Sequence, residues 1–190
     1  MEGTADSDEE LMLRFGRGEA AAFDLLYRRH EMKIWRYLKR SVENRASADE
    51  LMQDVWFAVA REANRYRPTA KFTTWLFTLA RNRIIDAVRK NRPHDSIDQD
   101  ADGSTALAER LRADASMEPQ ERLQLEQHAS VLIAAVDRLP AEQRDAFLLH
   151  AEGELSLEEI AVATGASFET AKSRLRYARE KLRESLKEHA

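Results

Sequence analysis

Residues 71–92 read K-F-T-T-W-L-F-T-L-A-R-N-R-I-I-D-A-V-R-K-N-R. Wound at about 100° per residue, Phe72, Trp75, Leu76, Leu79 and Val88 fall on one broad apolar flank. Thr74, Thr78, Arg81, Asn82 and Arg89 gather on another side, a polar stripe with no acid in it. Six Lys/Arg stand against the single acid Asp86, so the stretch carries +5. An amphipathic helix with one cationic side and aromatics at its entrance suits an element that packs into a helical domain and also touches a polyanion. A core helix whose basic face is merely solvated fits this stretch equally well. The flanking sequence has to decide.

Working upstream, the loop N-R-Y-R-P-T-A (64–70) enters this helix, because Pro68 has no N–H to give and biases Arg67 away from helical geometry. Tyr66, Phe72 and Trp75 then cluster among Asn64, Arg65, Arg67 and Lys71. Cations neutralise phosphates and ring faces receive unstacked bases, so the pattern fits single-stranded DNA, with Tyr66 the freest of the three rings. Before the loop, S-A-D-E (47–50) matches a capping box that opens a helix to about Ala63. Leu51, Val55, Ala58 and Val59 form its inward seam, while Asp49, Gln53, Asp54 and Trp56 lie wholly or partly away from it. An outward Trp beside acids and amides is expected at a protein interface. The other reading packs Trp56 on a neighbouring helix. Further upstream, Asn44-Arg45-Ala46 reads as a turn, Ala20 to about Glu43 as a helix, and Gly16 and Gly18 as a break after a shorter helix. Residues 1–9 read as a frayed acidic tail.

Downstream, Asn91-Arg92-Pro93 ends the first helical domain, residues 10–92. Residues 93–120 lack a sustained apolar seam and are rich in Asp and Ser, which reads as a flexible acidic linker with at most a weak helical piece around Ala106–Ala113. A second helical domain, residues 121–190, begins near Glu121 with Leu123, Leu125, Val131, Leu132, Ala135, Val136 and Leu139, and Pro140 stands at a first helical position. Ser156-Leu157-Glu158-Glu159 is a second capping box, opening a short helix that Gly165 terminates. Ala161 and Gly165 are small, as a close helix approach requires. Ser167 caps a last helix whose seam is Ala171, Leu175, Ala178 and Leu182 and whose opposite face carries Glu169, Lys172, Ser173, Arg176 and Glu180. A short helix, a glycine turn and a second helix with a polar-basic outer face read as a DNA-binding helix-turn-helix, with a plain αα-hairpin as the other reading.

The whole chain agrees with an all-α fold of two small helical domains. It has 190 residues, 6 Gly, 4 Pro and no Cys, so disulfides and thiol chemistry are excluded and a reducing cytoplasm is the expected compartment. No apolar run approaches the about 20 residues of a membrane span, so no membrane insertion is expected. The net charge of −4 hides segregated blocks: −5 over 1–24, +9 over 25–92, −6 over 93–126, −5 over 127–165 and +3 over 166–190. Two basic blocks separated by acidic ones give local cationic surfaces. The histidines (30, 94, 128, 150 and 189) are scattered, with no H-E-x-x-H pair, nucleophile elbow or glycine-rich phosphate loop. No catalytic set, cofactor or metal is expected, and the carboxylates read as solvated charge.

Taken together, A-D-E-L-M-Q-D-V-W-F (48–57), F-T-T-W-L-F-T-L-A-R-N-R-I-I-D-A-V-R-K (72–90), L-P-A-E-Q-R-D-A-F (139–147), L-S-L-E-E-I-A (155–161) and T-A-K-S-R-L-R-Y-A-R (170–179) resemble the extracytoplasmic-function, or group IV, sigma factors of bacterial RNA polymerase. The resemblance implies that the first domain docks on the clamp helices of the polymerase β′ subunit through Asp49, Gln53, Asp54, Val55 and Trp56. It implies −10 recognition by Asn64, Tyr66, Lys71, Thr74, Trp75, Arg81, Asn82 and Arg89, with a base flipped from the non-template strand. The second domain would dock on the β flap and place Ser167, Glu169, Thr170, Lys172, Ser173, Arg176 and Arg179 at the −35 element. The acidic linker would thread the channel later taken by nascent RNA, and an anti-sigma factor is an implied partner. Two departures stand out: P-T-A-K-F lacks a glycine that relatives carry there, and A-S-F-E-T-A-K-S-R replaces a commoner P-x-G-T-V-like run. The alternative is a stand-alone helix-turn-helix regulator with a helical sensor or dimerisation domain, which would bind DNA unaided. A helical adaptor without any DNA role is a further rival.

Overall fold

The computed structural model describes residues 6–42, 45–90 and 129–187, and all regular structure among them is helical. Residues 93–120, read above as the linker, lie outside the described residues, as do Leu123 and Leu125.

The N-terminal half starts earlier than its sequence suggested. Helix α1 spans Asp8–Gly16, and Ser7 closes a full capping box with Glu10: the Glu10 N–H donates to Ser7 Oγ at 3.2 Å and the Ser7 N–H to Glu10 Oε2 at 3.3 Å. Asp8, Glu9 and Glu10 in the first turn complement the positive end of the helix. Residues 6–9 are therefore no frayed tail. Asp8 binds Arg29 at 2.7 Å and His30 at 2.6 Å, and although burial opposes it, these two partners hold its carboxyl below the usual range. Glu9 accepts the Phe72 N–H at 2.6 Å and so caps the helix the sequence centres on.

Helix α2 (Ala20–Ser41), α3 (Arg45–Glu62) and α4 (Phe72–Lys90) complete this half, with a 3-10 turn at Ala63–Arg65. The turn read at 44–46 is corrected at Arg45 and Ala46, and so is the cap at Ser47, while Asn44 lies outside the described residues. Helix α3 is already running at Arg45, and a residue inside a helix cannot cap it. Gly16 lets α1 end against the 3-10 turn, since a Cβ there would sit 2.6 Å from the Ala63 carbonyl oxygen. On α4 the apolar flank holds for Phe72 and Leu76, which are buried, and for the half-buried Trp75 and Leu79. Val88 does not share that flank, since about 100° per residue carries it to the far side of the helix from Phe72, and it is exposed; Phe77, also on the far side, is buried. Helix α4 is thus covered on two flanks.

The second covering layer is the C-terminal half: α5 (described over 129–137), α6 (Ala141–Ala151), α7 (Leu157–Thr164) and α8 (Phe168–Lys187). Pro140 is the residue before α6 rather than its first, and its carbonyl accepts the N–H groups of Gln143 and Arg144. The Ser156–Glu159 box is complete, with bonds of 3.2 and 2.8 Å. Gly165 ends α7 in the left-handed region at φ +64°, a conformation glycine adopts without a Cβ penalty. A Cβ at Gly165 would meet nothing within 4 Å, so left-handed geometry, not close approach, calls for glycine there. Ser167 Oγ accepts the Thr170 N–H at 3.2 Å, and Ala171, Leu175, Ala178 and Leu182 form a buried seam as the spacing predicts.

The two halves touch. Helix α4 packs on α7 and α2 on α6, and one continuous set of buried apolar side chains runs through both halves. Gly153 sits where a Cβ would lie 3.2 Å from Phe77 Cγ and 2.6 Å from Leu155 Cδ1, so the segment after α6 comes right down on α4.

Candidate nucleic-acid interfaces

Three surfaces hold the residues singled out by sequence. The first is the outer face of α3. Asp49, Glu50, Gln53, Asp54, Phe57, Ala60 and Arg61 are exposed at three- and four-residue intervals. Val55 and Trp56 do not belong to it. Val55 is fully buried, and Trp56, 6 % exposed, packs edge-on against Phe23 at 5.6 Å and against Tyr27 at 4.9 Å. The aromatic that does face outward is Phe57, 72 % exposed. It lies four residues after Gln53 and three after Asp54, so the same periodicity places it among them. Asp49 also accepts the Trp35 Nε1–H at 3.1 Å.

The second surface surrounds the entrance and polar stripe of α4. Asn64, Lys71, Asn82 and Arg89 are exposed, and Trp75 is half-buried. Tyr66 is not free: 4 % exposed, it stacks edge-on against Trp75 at 5.2 Å and Phe72 at 6.2 Å. Burial, with Glu9 and Asp8 nearby, pushes its phenol up to about 12. Thr74 is buried as well, 3 % exposed, beside the Glu159 carboxylate. Arg81 is half-buried and donates through Nε to Asp145 of α6 at 2.6 Å, while Lys71 Nζ lies 3.1 Å from Glu159 of α7. Arg81 and Thr74 of the polar stripe thus face the second half of the same chain, while Asn82 and Arg89 point outward.

The third surface is the outer face of α8. Glu169, Lys172 and Arg176 are exposed and Ser173 half-buried on the side away from the apolar seam, Thr170 is half-buried at its flank, Ser167 is exposed at the cap, and Arg179 is exposed but lies beside the seam rather than opposite it. Lys172 pairs loosely with Glu169 at 3.8 Å and Arg176 with Glu180 at 3.9 Å, contacts weak enough to exchange for phosphate. The Arg176 guanidinium also stacks 4.2 Å over the Tyr177 ring. Arg179 donates toward His150 at 2.6 Å. A cationic helix face presented by a short preceding helix and a glycine turn is the geometry that enters a major groove.

Two family models match the chain in order: sigma-70 region 2 over residues 26–94 and sigma-70, region 4 over residues 130–182. RNA polymerase sigma factor CarQ of Myxococcus xanthus is 34 % identical over 93 % of this chain and 96 % of its own length. The chain belongs to the ECF branch of the sigma-70 family. ECF RNA polymerase sigma factor RpoE of Cereibacter sphaeroides is 32 % identical over 88 % of each chain. CnrH, solved in complex with the cytosolic domain of CnrY, shares the fold with a TM-score of 0.66 at 23 % identity, over 97 % of this chain and all of that one. This sigma factor is an alternative initiation factor that directs transcription from promoters. Among the described residues no helix is long and apolar enough to cross a membrane, and no group of His, Cys, Asp and Glu could hold a metal.

Proposed function

We propose that the three surfaces divide the work of initiation. The outer face of α3, through Asp49, Gln53 and Asp54 with Phe57 beside them, docks on the β′ clamp helices of core polymerase. Asn64, Lys71, Arg81, Asn82 and Arg89, with the edge of Trp75, hold the melted −10 strand, and the outer face of α8 reads the −35 element while its half docks on the β flap. The observation that supports this most is α8 itself: its candidate −35 residues are exposed or half-exposed while its other side is a buried seam. Glu169 can accept from a cytosine amino group, and Lys172 and Arg176 can bind phosphate or guanine.

Extruding a base costs a few kcal/mol of stacking. The chain offsets it by binding unpaired bases while anchored to polymerase, where two weak DNA contacts on one scaffold act through effective concentration. It acts in the cytoplasm and by binding alone, and bond formation belongs to the polymerase. RpoE of Bartonella quintana has been solved with the anti-sigma factor NepR, and an anti-sigma partner is proposed here too. Run-off transcription with purified core polymerase and a random promoter library tests the reading. RNA should start from templates sharing two short blocks, and the free chain should bind the same templates poorly. Failure to associate with core polymerase, or tight specific binding by the free chain, overturns it.

A further inference from the structure

The arginines along the middle of α8 are held in different ways. Arg174 donates to Glu142 at 2.6 Å and Arg179 toward His150 at 2.6 Å, both on the neighbouring α6, so their donors are taken by the fold. Arg176 is held by its face. Its guanidinium carbon lies 4.2 Å over the centre of the Tyr177 ring, and its N–H groups make no hydrogen bond among the described residues. Glu180, at 3.9 Å, lies beyond hydrogen-bond reach. Tyr177 is 45 % exposed, so the ring is not there to fill the core. At about 100° per residue, Arg176 and Tyr177 straddle the line opposite the Ala171–Leu175–Ala178–Leu182 seam, with Ser173 and Glu180 between them.

We propose that Tyr177 is a positioning residue for promoter reading: its ring holds Arg176 as an oriented, unoccupied donor fork that selects a guanine in the −35 element. The inference rests on the assignment of the outer face of α8 to −35 DNA. Guanine presents O6 and N7 side by side in the major groove, and a planar fork meets both acceptors at once. An arginine free to swing reaches phosphates as well, and so gains affinity without choosing a base. The ring removes that freedom before DNA arrives, which lowers the side-chain entropy lost on docking. The stack survives binding, because the ring uses the guanidinium's face and the base uses its edge. Lys172, paired loosely with Glu169 at 3.8 Å, is a point charge without such a fork.

Run-off transcription with core polymerase and this chain, on templates carrying each base in turn at every −35 position, tests the pair. Arg176→Ala locates the base pair whose guanine preference it erases. At that pair, Tyr177→Ala and Tyr177→Leu should each compress the preference by about two- to fivefold, the range of an exposed cation–ring contact. Tyr177→Phe keeps the ring and should preserve it. A merely structural role would weaken every template alike. Uniform weakening, a preference unchanged in Tyr177→Ala, or one lost in Tyr177→Phe overturns the inference. So does an Arg176→Ala chain that keeps all its −35 preferences. Lys172→Ala on the same templates then separates the two assignments. If it weakens −35-dependent transcription, α8 still faces DNA and only the role of the pair falls. If neither substitution changes any −35 response, the assignment of α8 falls with it.

Discussion

Tyr66 packs its ring among Phe72 and Trp75, yet its buried hydroxyl makes no hydrogen bond among the described residues. An unpaired buried hydroxyl costs about 1–3 kcal/mol, so Tyr66→Phe should leave stability unchanged or raise it by up to about 1 kcal/mol, read as a level or higher melting temperature. Tyr66→Ala should cost about 3–5 kcal/mol through the cavity. If Tyr66→Phe keeps its melting temperature but loses promoter opening, the hydroxyl serves DNA after all. Gly165 gives a second case. At φ +64° an alanine carries a penalty of about 1–2 kcal/mol, and Gly165→Ala should lower the unfolding midpoint accordingly, while Gly165→Asn should lower it less. The glycine was legible from the capping box and spacing around it. The burial of Tyr66 was not, because it lies in the loop after the 3-10 turn where no helical period applies, and that of Trp56 was one of two readings the periodicity left open. Trp56 sits 100° from Val55, at the border of the seam, and Phe23 and Tyr27 of α2 close over it.

At the level of the element, α8 was the most legible part of the chain. Its cap, its four-residue seam and its outer face all follow from a 3.6 period, with Glu169, Lys172 and Arg176 left exposed. That isolation makes it easy to test. Lys172→Ala and Arg176→Ala remove exposed side chains held by loose intrahelical pairs and, for Arg176, by a stack on the exposed Tyr177 ring, so folding stability should move by no more than about 0.5 kcal/mol. Each should nevertheless weaken −35-dependent run-off transcription, by up to about tenfold where it reads a base, and leave pull-down by core polymerase intact. Loss of core binding would place α8 on the polymerase rather than on DNA. Helix α4 was half legible. Its Phe72–Leu76 flank shows in sequence, but Thr74, Phe77 and Arg81 are covered by α6, α7 and the segment around Gly153. Those partners lie more than sixty residues away along the chain, where a local pattern carries no information.

For the molecule as a whole, the acidic block over 127–165 looked like solvated charge and is in fact a counter-surface. Only the fold brings Asp145, Glu152, Glu154 and Glu159 opposite Arg81, Arg36, Lys33 and Lys71. The consequence is a pH dependence whose sign is fixed. Lys33, by hydrogen bond and charge, holds the Glu154 carboxyl below its ordinary value of 4.5. Burial raises that of Glu159, but the Ser156 N–H and Lys71 outweigh it and leave it lowered too. Carboxylates depressed in the closed form favour closure fully above the ordinary glutamate range, and that favour is lost as pH falls through their closed-state values. Small-angle scattering should therefore show the radius of gyration rising on acidification from pH 7 to about pH 4, before far-UV ellipticity is lost. Raising salt to about 1 M at neutral pH, where the screening length drops to about 3 Å, should expand the chain in the same way. Glu154→Gln removes one titrating group while keeping its size, so it should open the chain slightly at neutral pH and shallow the acid transition. A radius that stays flat until the helices melt would mean that apolar contact between Phe77 and the Gly153 segment, not the ion pairs, holds the halves together.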